Sequence, residues 1–184
     1  DAVANADRLL ALDPRNVGAL NHRGAALLAL GRFEDALASW GRAIARAPEV
    51  AFLHDNAGLA LLPLGRAEEA VAAHGRAIAL KPDFAIAYVR RAIALRALNR
   101  FDDALRDAER ALEIDPRLAL AHNAHGIVLN DVGRYEDAVA AYRRAIALAP
   151  TLAEAYNNLG NSLHDMGRFD EALDPLREAS DLLD

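Results

Sequence analysis

The sequence predicts an all-α protein built from repeated antiparallel helix pairs, which is the α-solenoid class of fold. Three features recur every 34 residues. The first is a proline, at Pro14, Pro48, Pro82, Pro116 and Pro150. The second is a glycine or asparagine, at Gly31, Gly65, Asn99, Gly133 and Gly167, and the third is an alanine, at Ala36, Ala70, Ala104, Ala138 and Ala172. A fixed period of this size is typical of arrays in which each repeat is one supersecondary unit.

Each repeat begins with a stretch that has the period of an amphipathic helix. In the first repeat this stretch is "GALNHRGAALLAL", residues 18–30, in which apolar residues recur at intervals of three and four. Gly31 follows it, and the equivalent residue in the other repeats is glycine or Asn99. These residue types tolerate the left-handed backbone conformation that often ends a helix. The pattern therefore predicts a first helix that stops at a tight turn.

A second helical stretch follows each turn, as in "FEDALASWGRAIARA", residues 33–47. Its first turn carries two acidic residues, here Glu34 and Asp35, where the helix macrodipole favours negative charge. The periodic proline then ends this helix, because proline cannot continue a helix but can begin the next one. The pattern predicts a second helix in every repeat, and the small alanines predict close contact between neighbouring helices.

Some residues depart from the repeating pattern. Pro63 lies near the end of a first helix and is expected to shorten or kink it, and Pro175 is expected to bend the last second helix. His74 and Ala108 stand where the first repeat has the large apolar residue Trp40. The second and third repeats are therefore expected to pack less tightly than the others.

The composition excludes several classes of function. The formal net charge is −6, whereas nucleic-acid binding requires a dense basic face, so we expect no nucleic-acid partner. No apolar run approaches the length of about 20 residues that crosses a bilayer, so we expect no insertion into a membrane. The chain has no cysteine, which leaves histidine and carboxylates as candidate metal ligands. The compartment stays open, with the cytoplasm favoured.

The sequence lacks the motifs that carry catalysis. His122 and His125 lie one helical turn apart, but their helix has no HExxH pattern and no third ligand is evident. There is also no GxSxG nucleophile elbow, phosphate-binding loop or dinucleotide-binding fingerprint. We therefore predict a protein that is not an enzyme and that has no catalytic residue, metal site or cofactor.

Two segments carry a resemblance to a known family. "YNNLGNSL", residues 156–163, and "ALASW", residues 36–40, match the two halves of a 34-residue signature. The repeat thereby resembles the tetratricopeptide repeat family over essentially the whole chain, which implies a right-handed superhelix of helix pairs. The resemblance places repeats at residues 17–50, 51–84, 85–118, 119–152 and 153–184, after a lone second helix in residues 1–14, all within one solenoid domain.

The resemblance also implies that the first helices line a concave groove for a protein or peptide partner. Positions that match the groove predict these binding residues: Asn21, His22, Phe52, Asp55, Asn56, Val89, Arg90, Ile93, Arg96, Asn123, Ile127, Asn130, Asn157, Asn158 and Asn161. In the middle of the groove, apolar residues beside Arg90 and Arg96 favour a partner segment with hydrophobic anchors and an acidic group. At its C-terminal end, the asparagines are suited to hold the backbone of an extended peptide, because amides offer both donors and acceptors.

Two alternatives to a simple interaction module remain open at the level of sequence. Asparagine-rich repeats resemble the substrate-guiding arm of O-linked N-acetylglucosamine transferases, although the matching amide occurs here only at Asn56 and Asn158. Self-association through the open terminal helices is the other alternative. A clamp for chaperone C-termini is not predicted, because only Asn56 and Arg90 fit its pattern.

Overall fold

A computed structural model describes residues 2–183 of the chain. Over this range the chain forms eleven α-helices and no β-strand. The helices are α1 (Ala2–Leu12), α2 (Val17–Ala29), α3 (Phe33–Ile44), α4 (Ala51–Leu61), α5 (Ala67–Leu80), α6 (Ala85–Ala97), α7 (Phe101–Ile114), α8 (Ala119–Asp131), α9 (Tyr135–Leu148), α10 (Ala153–Asp165) and α11 (Phe169–Asp181). The all-α, solenoid-type class of fold is therefore confirmed, while the boundaries of the individual repeats stay predictions.

The chain divides into two compact units, Asp1–Leu98 and Asn99–Asp184. Unit 1 contains α1 to α6, and unit 2 contains α7 to α11. In unit 1 each helix packs on the next one, and α4 also contacts α2 and α6. In unit 2 each helix again packs on the next one, and α8 also contacts α10. Helices α2, α4 and α6 thus form one layer of unit 1, and α8 and α10 form one layer of unit 2.

The glycine or asparagine in the turn after each first helix adopts the left-handed conformation that the sequence predicts. The φ angle is 56° at Asn99 and lies between 70° and 79° at Gly31, Gly65, Gly133 and Gly167. The turn after α2 is closed by the backbone N–H of Arg32, which donates to the carbonyl oxygen of Leu27 at 2.9 Å. This bond satisfies one of the carbonyl groups that a helix end leaves without a partner.

Proline affects one first helix and one second helix. Helix α4 ends at Leu61 after 11 residues, whereas α2, α6, α8 and α10 each have 13. Pro63 follows directly in the turn, so the predicted shortening is confirmed. Pro175 lies inside α11, which continues to Asp181.

Each second helix except α1 begins with an ion pair that sequence reasoning missed. The arginine just before the helix binds the second residue of the acidic pair, as Arg32–Asp35, Arg66–Glu69, Arg100–Asp103, Arg134–Asp137 and Arg168–Glu171. The hydrogen bond from the guanidinium lowers the pKa of Glu69, Asp103 and Glu171. These pairs are largely exposed to solvent, so each contributes little to stability.

The two helices of a pair meet where a glycine faces a large side chain. A Cβ atom on Gly24 would lie 2.6 Å from the ring of Trp40, and one on Gly126 would lie 2.6 Å from the ring of Tyr142. The same relation joins Gly58 to His74. In the third repeat, the sequence has alanine at both equivalent positions, Ala92 and Ala108. A large side chain at this position thus faces glycine, and alanine stands in the glycine position only where the facing residue is also alanine.

Replacing Gly126 with alanine is expected to destabilise the protein by about 1–3 kcal/mol, because the new methyl group overpacks against Tyr142. The sign should reverse in a Tyr142→Ala background, where the same substitution gains up to about 1 kcal/mol from helix propensity. Urea denaturation followed by circular dichroism measures both changes. A stabilising effect of Gly126→Ala in the presence of Tyr142 would contradict the packing described here.

Candidate functional site

The first helices of unit 1 each present a row of residues that is not covered by the second helices. Residues spaced by four and then three positions lie on one face of a helix. We define the unit 1 stripe as Gly18, His22 and Ala25 on α2, Phe52, Asn56 and Leu59 on α4, and Ile86, Arg90 and Ile93 on α6. None of these residues is buried. Because α4 contacts both α2 and α6, the three rows lie side by side.

The stripe contains large apolar side chains that reach solvent. Phe52 is 46% exposed and Ile93 is 41% exposed. Leu59 and Ile86 are partly buried beside them. Grouped apolar side chains on the surface of a folded protein often mark a place where another molecule binds. The apolar part of the unit 1 stripe therefore has the chemistry of a contact surface.

A ladder of side-chain hydrogen bonds runs beneath the stripe and joins neighbouring first helices. The amide nitrogen of Asn56 donates to the Oδ1 atom of Asn21 at 3.0 Å, across a separation of 35 residues. In unit 2, Asn158 donates to Asn123 at 3.0 Å across the same separation. The indole N–H of Trp40 also donates to Oδ1 of Asn21, at 3.0 Å. Each rung thus fixes the position of one first helix against the next.

The third rung is charged and consists of His74, Asp55 and Arg90. Nδ1 of His74 is 2.7 Å from Oδ1 of Asp55, and a guanidinium nitrogen of Arg90 contacts Oδ2 of the same carboxylate. The side chain of Asp55 is 1% exposed and that of His74 is 0% exposed, whereas that of Arg90 is 27% exposed. Asp55 accepts from both neighbours, because a carboxylate has only acceptor atoms. The cluster therefore connects the interior of unit 1 to its surface at Arg90.

The charged rung occupies the same register as the neutral rung of the first repeat. His74 stands 34 residues after Trp40, Asp55 after Asn21, and Arg90 after Asn56. In both cases one side chain on a first helix, Asn21 or Asp55, accepts two hydrogen bonds. One comes from a ring nitrogen on the second helix of the same pair, and the other comes from a side chain on the next first helix. His74 is as closely packed as Trp40, since a Cβ on Gly58 would lie 2.5 Å from its ring. The looser packing expected of the second and third repeats stays a prediction.

The predicted binding residues of unit 1 fall into two groups. His22, Phe52, Asn56, Arg90 and Ile93 lie on the unit 1 stripe, and Arg96 is exposed near the end of α6. Asn21 lies between the groups, since it is partly buried and accepts two hydrogen bonds. The interior group consists of Asp55 and Val89, which are buried. These two side chains support the surface and do not form it.

Three of the six predicted binding residues of unit 2 make hydrogen bonds within the protein. Asn123 is buried and accepts from Asn158, and Asn130 accepts from the hydroxyl of Ser162 at 2.7 Å. Ile127 is partly buried. Asn157 and Asn161 are exposed on α10. Fewer asparagine side chains at this end are therefore available to a peptide than the sequence predicts, because several already bond within the protein.

Three histidines make hydrogen bonds within the protein, one of them His74 in the charged rung. Nε2 of His54 lies 2.8 Å from the carbonyl oxygen of Pro48, and Nε2 of His122 lies 3.0 Å from that of Pro116. Burial lowers the pKa of His125, and the charge of Arg134 lowers it further, while Glu109 opposes the shift. Among residues 2–183, no three histidine or acidic side chains are grouped so that they could hold a metal ion. In the same range, no helix is both long enough and apolar enough to cross a membrane.

The fold and the ladder together define a helical-repeat scaffold. Family models described as tetratricopeptide repeat match residues 1–51, 85–118 and 153–182, and one described as TPR repeat matches residues 126–167. The chain belongs to the tetratricopeptide repeat family. No curated protein sequence matches it. Membership of this family supports a role in protein–protein interaction.

Solved structures share the fold. TTC0263, a thermophilic TPR protein of Thermus thermophilus, is 27% identical with a TM-score of 0.84, and the match covers 90% of this chain and 91% of that one. MamA is 21% identical with a TM-score of 0.68, over 86% and 93% of the two chains. YrrB, described as a TPR protein with an unusual peptide-binding site, is 19% identical with a TM-score of 0.64, over 96% and 91%.

Proposed function

We propose that the chain is an interaction scaffold that binds a peptide segment of a partner protein on the unit 1 stripe. The observation that carries this proposal is the exposure of Phe52 and Ile93 on adjacent first helices, with Leu59 and Ile86 beside them. Apolar anchors of a peptide gain free energy when they cover such side chains. YrrB, which has the same fold, is described as having a peptide-binding site.

The ladder beneath the stripe favours binding because it makes the surface rigid before the partner arrives. Asn21, Asn56 and Trp40 form one rung, and His74, Asp55 and Arg90 form the other. A surface that is already ordered loses little conformational entropy on association. The unit 1 stripe combines this rigidity with exposed apolar side chains, whereas unit 2 uses most of its amides internally.

The double substitution Phe52→Glu and Ile93→Glu is expected to abolish capture of peptides that were selected on the wild-type protein from a random library displayed on phage. Two charges on the surface would remain solvated and could not be buried under apolar anchors. The matched control is Ala38→Glu with Ala72→Glu, which adds the same charge at exposed positions of α3 and α5. Equal capture by the stripe variant and the control variant would refute the proposal.

Self-association is a second candidate, favoured by exposed apolar residues on the first and last helices. On α1, Leu9 is 50% exposed and Leu12 is 85% exposed. On α11, Leu173 is 60% exposed, whereas the residue 34 positions earlier, Val139, is 4% exposed because α9 packs on α10. Light scattering over a range of concentrations tests this candidate. An average molar mass that rises with concentration in the wild type but not in Leu173→Glu would support self-association. A monomer at every concentration would exclude it.

A further inference from the structure

Arg90 is the guanidinium of the unit 1 stripe, and a buried carboxylate lies directly behind it. Oδ2 of Asp55 contacts a guanidinium nitrogen of Arg90, and the Asp55 side chain is 1% exposed. Because water has almost no access to Asp55, its charge is weakly screened and acts on any group that approaches Arg90 from outside. The formal charges of the two groups cancel at the surface.

His74 contacts Asp55 from the interior side of the cluster. Its Nδ1 atom serves the carboxylate, and its Nε2 atom is buried with no hydrogen-bond partner among the described residues. His74 therefore acts as a positioning residue that holds Asp55 under Arg90.

The other cation near the stripe is also engaged. Arg96 lies on α6 one helical turn beyond Arg90, and it takes part in an interaction within the protein. The guanidinium of Arg90 has five N–H donors and its side chain is 27% exposed, so it can donate to a group that approaches from outside. At Arg90 the stripe thus offers hydrogen-bond donors beside a buried negative charge.

We infer that the unit 1 stripe selects an uncharged apolar segment whose backbone carbonyl oxygens accept from Arg90, and that buried Asp55 discriminates against acidic partners. This inference rests on the proposed peptide-binding function of the same surface. It reverses the expectation from sequence that Arg90 and Arg96 attract an acidic group. A carboxylate brought to Arg90 would also approach Asp55, and this like-charge repulsion would cancel much of the attraction.

The test compares the peptides that wild-type protein and the Asp55→Asn variant select from a random linear library displayed on phage. Asparagine is a suitable replacement, because the chain itself has asparagine at the equivalent positions Asn21 and Asn123. Wild-type protein should select peptides rich in large apolar residues with no enrichment of aspartate or glutamate. The Asp55→Asn variant should select acidic peptides, since Arg90 is then uncompensated.

Affinities of two synthetic peptides make the test quantitative. One is the peptide that binds the wild-type protein most tightly. The other is the same peptide with one residue replaced by glutamate, at the position where this replacement weakens binding least. The ratio of their affinities should shift toward the acidic peptide by at least about tenfold in Asp55→Asn, as expected for one close charge pair at an interface. The matched control is Asp55→Asn with Arg90→Asn, which recreates the neutral Asn21–Asn56 rung and should show no such shift.

The outcomes separate this inference from the proposed function. Peptides that bind equally well to Ile93→Glu do not use the stripe, and they would overturn both. The inference alone would be overturned if the wild-type protein selected mainly acidic peptides and these needed Ile93 to bind. It would also be overturned if a folded Asp55→Asn variant had the same ratio of affinities for the two peptides as the wild type. If Asp55→Asn does not fold, the wild-type protein still provides a test through its selected peptides and its affinities for the two synthetic peptides. A preference of the wild-type protein for acidic peptides in either measurement contradicts the inference.

Discussion

Replacing Trp40 with alanine is expected to lower the free energy of unfolding by about 3–5 kcal/mol. Trp40 is the largest fully buried side chain, and it belongs to the core cluster of unit 1 with Leu20, Leu27 and Leu53. Its ring lies against Gly24, which has no side chain that could fill the cavity. The substitution also removes the indole donor to Asn21, so the rung below the stripe loses one of its two hydrogen bonds.

Chemical denaturation of the variant measures this loss. The matched control is Phe52→Ala, which removes an exposed aromatic side chain from the same unit and should change stability by about 0.5 kcal/mol. If the two variants unfold at the same denaturant concentration, Trp40 does not hold the core of unit 1 together.

Replacing Asp55 with alanine is expected to destabilise the protein by about 3 kcal/mol, at the low end for a broken buried ion pair because Arg90 is partly exposed. The substitution leaves Nδ1 of His74 without its acceptor and removes the group that fixes Arg90. It also leaves a small cavity between α4 and α5. Thermal or chemical denaturation provides the measurement.

The rescue of this effect is as informative as the loss. Asp55→Asn with Arg90→Asn provides an acceptor for His74 and a neutral rung like Asn21–Asn56, so it should cost only about 1 kcal/mol relative to the wild type. Equal destabilisation by Asp55→Ala and by the double variant would show that the charged cluster has no neutral equivalent in this fold.

The features that sequence predicts best are those that depend on the backbone of a single repeat. Gly31 and Asn99 were predicted at turns because a positive φ is costly for other residues, and both adopt it. Pro63 was predicted to shorten its helix because proline lacks an N–H group, and α4 ends two residues before it. These constraints act within a few residues, so a local pattern is enough to identify them.

The contacts between repeats were harder to predict because they join residues far apart in the sequence. The pairs Asn21–Asn56 and Asn123–Asn158 share a separation of 35 residues, and this regularity was the available signal. The resemblance to the family predicts that Asp55 lines the groove. The structure instead places it in the interior, where His74 and Arg90 make a buried carboxylate acceptable.

The replacement of Trp40 by His74 in the next repeat shows why a residue cannot be judged alone. A polar ring at a core position predicts looser packing when its partner is unknown. Its partner Asp55 stands 19 residues earlier, on the first helix of the same pair. Together the two residues occupy the register of Trp40 and Asn21, while they change the charge beneath the surface.

Mapping of a bound peptide by NMR tests most directly whether the unit 1 stripe is the recognition surface. The peptide is one selected on the wild-type protein, and the signals are those of backbone amides together with the indole N–H of Trp40, the only tryptophan in the chain. The largest changes are expected at Phe52, Asn56 and Ile93, with a change at the Trp40 indole, because Asn21 links it to Asn56. Changes confined to the exposed faces of α3 and α5, or to unit 2, would contradict recognition by the stripe.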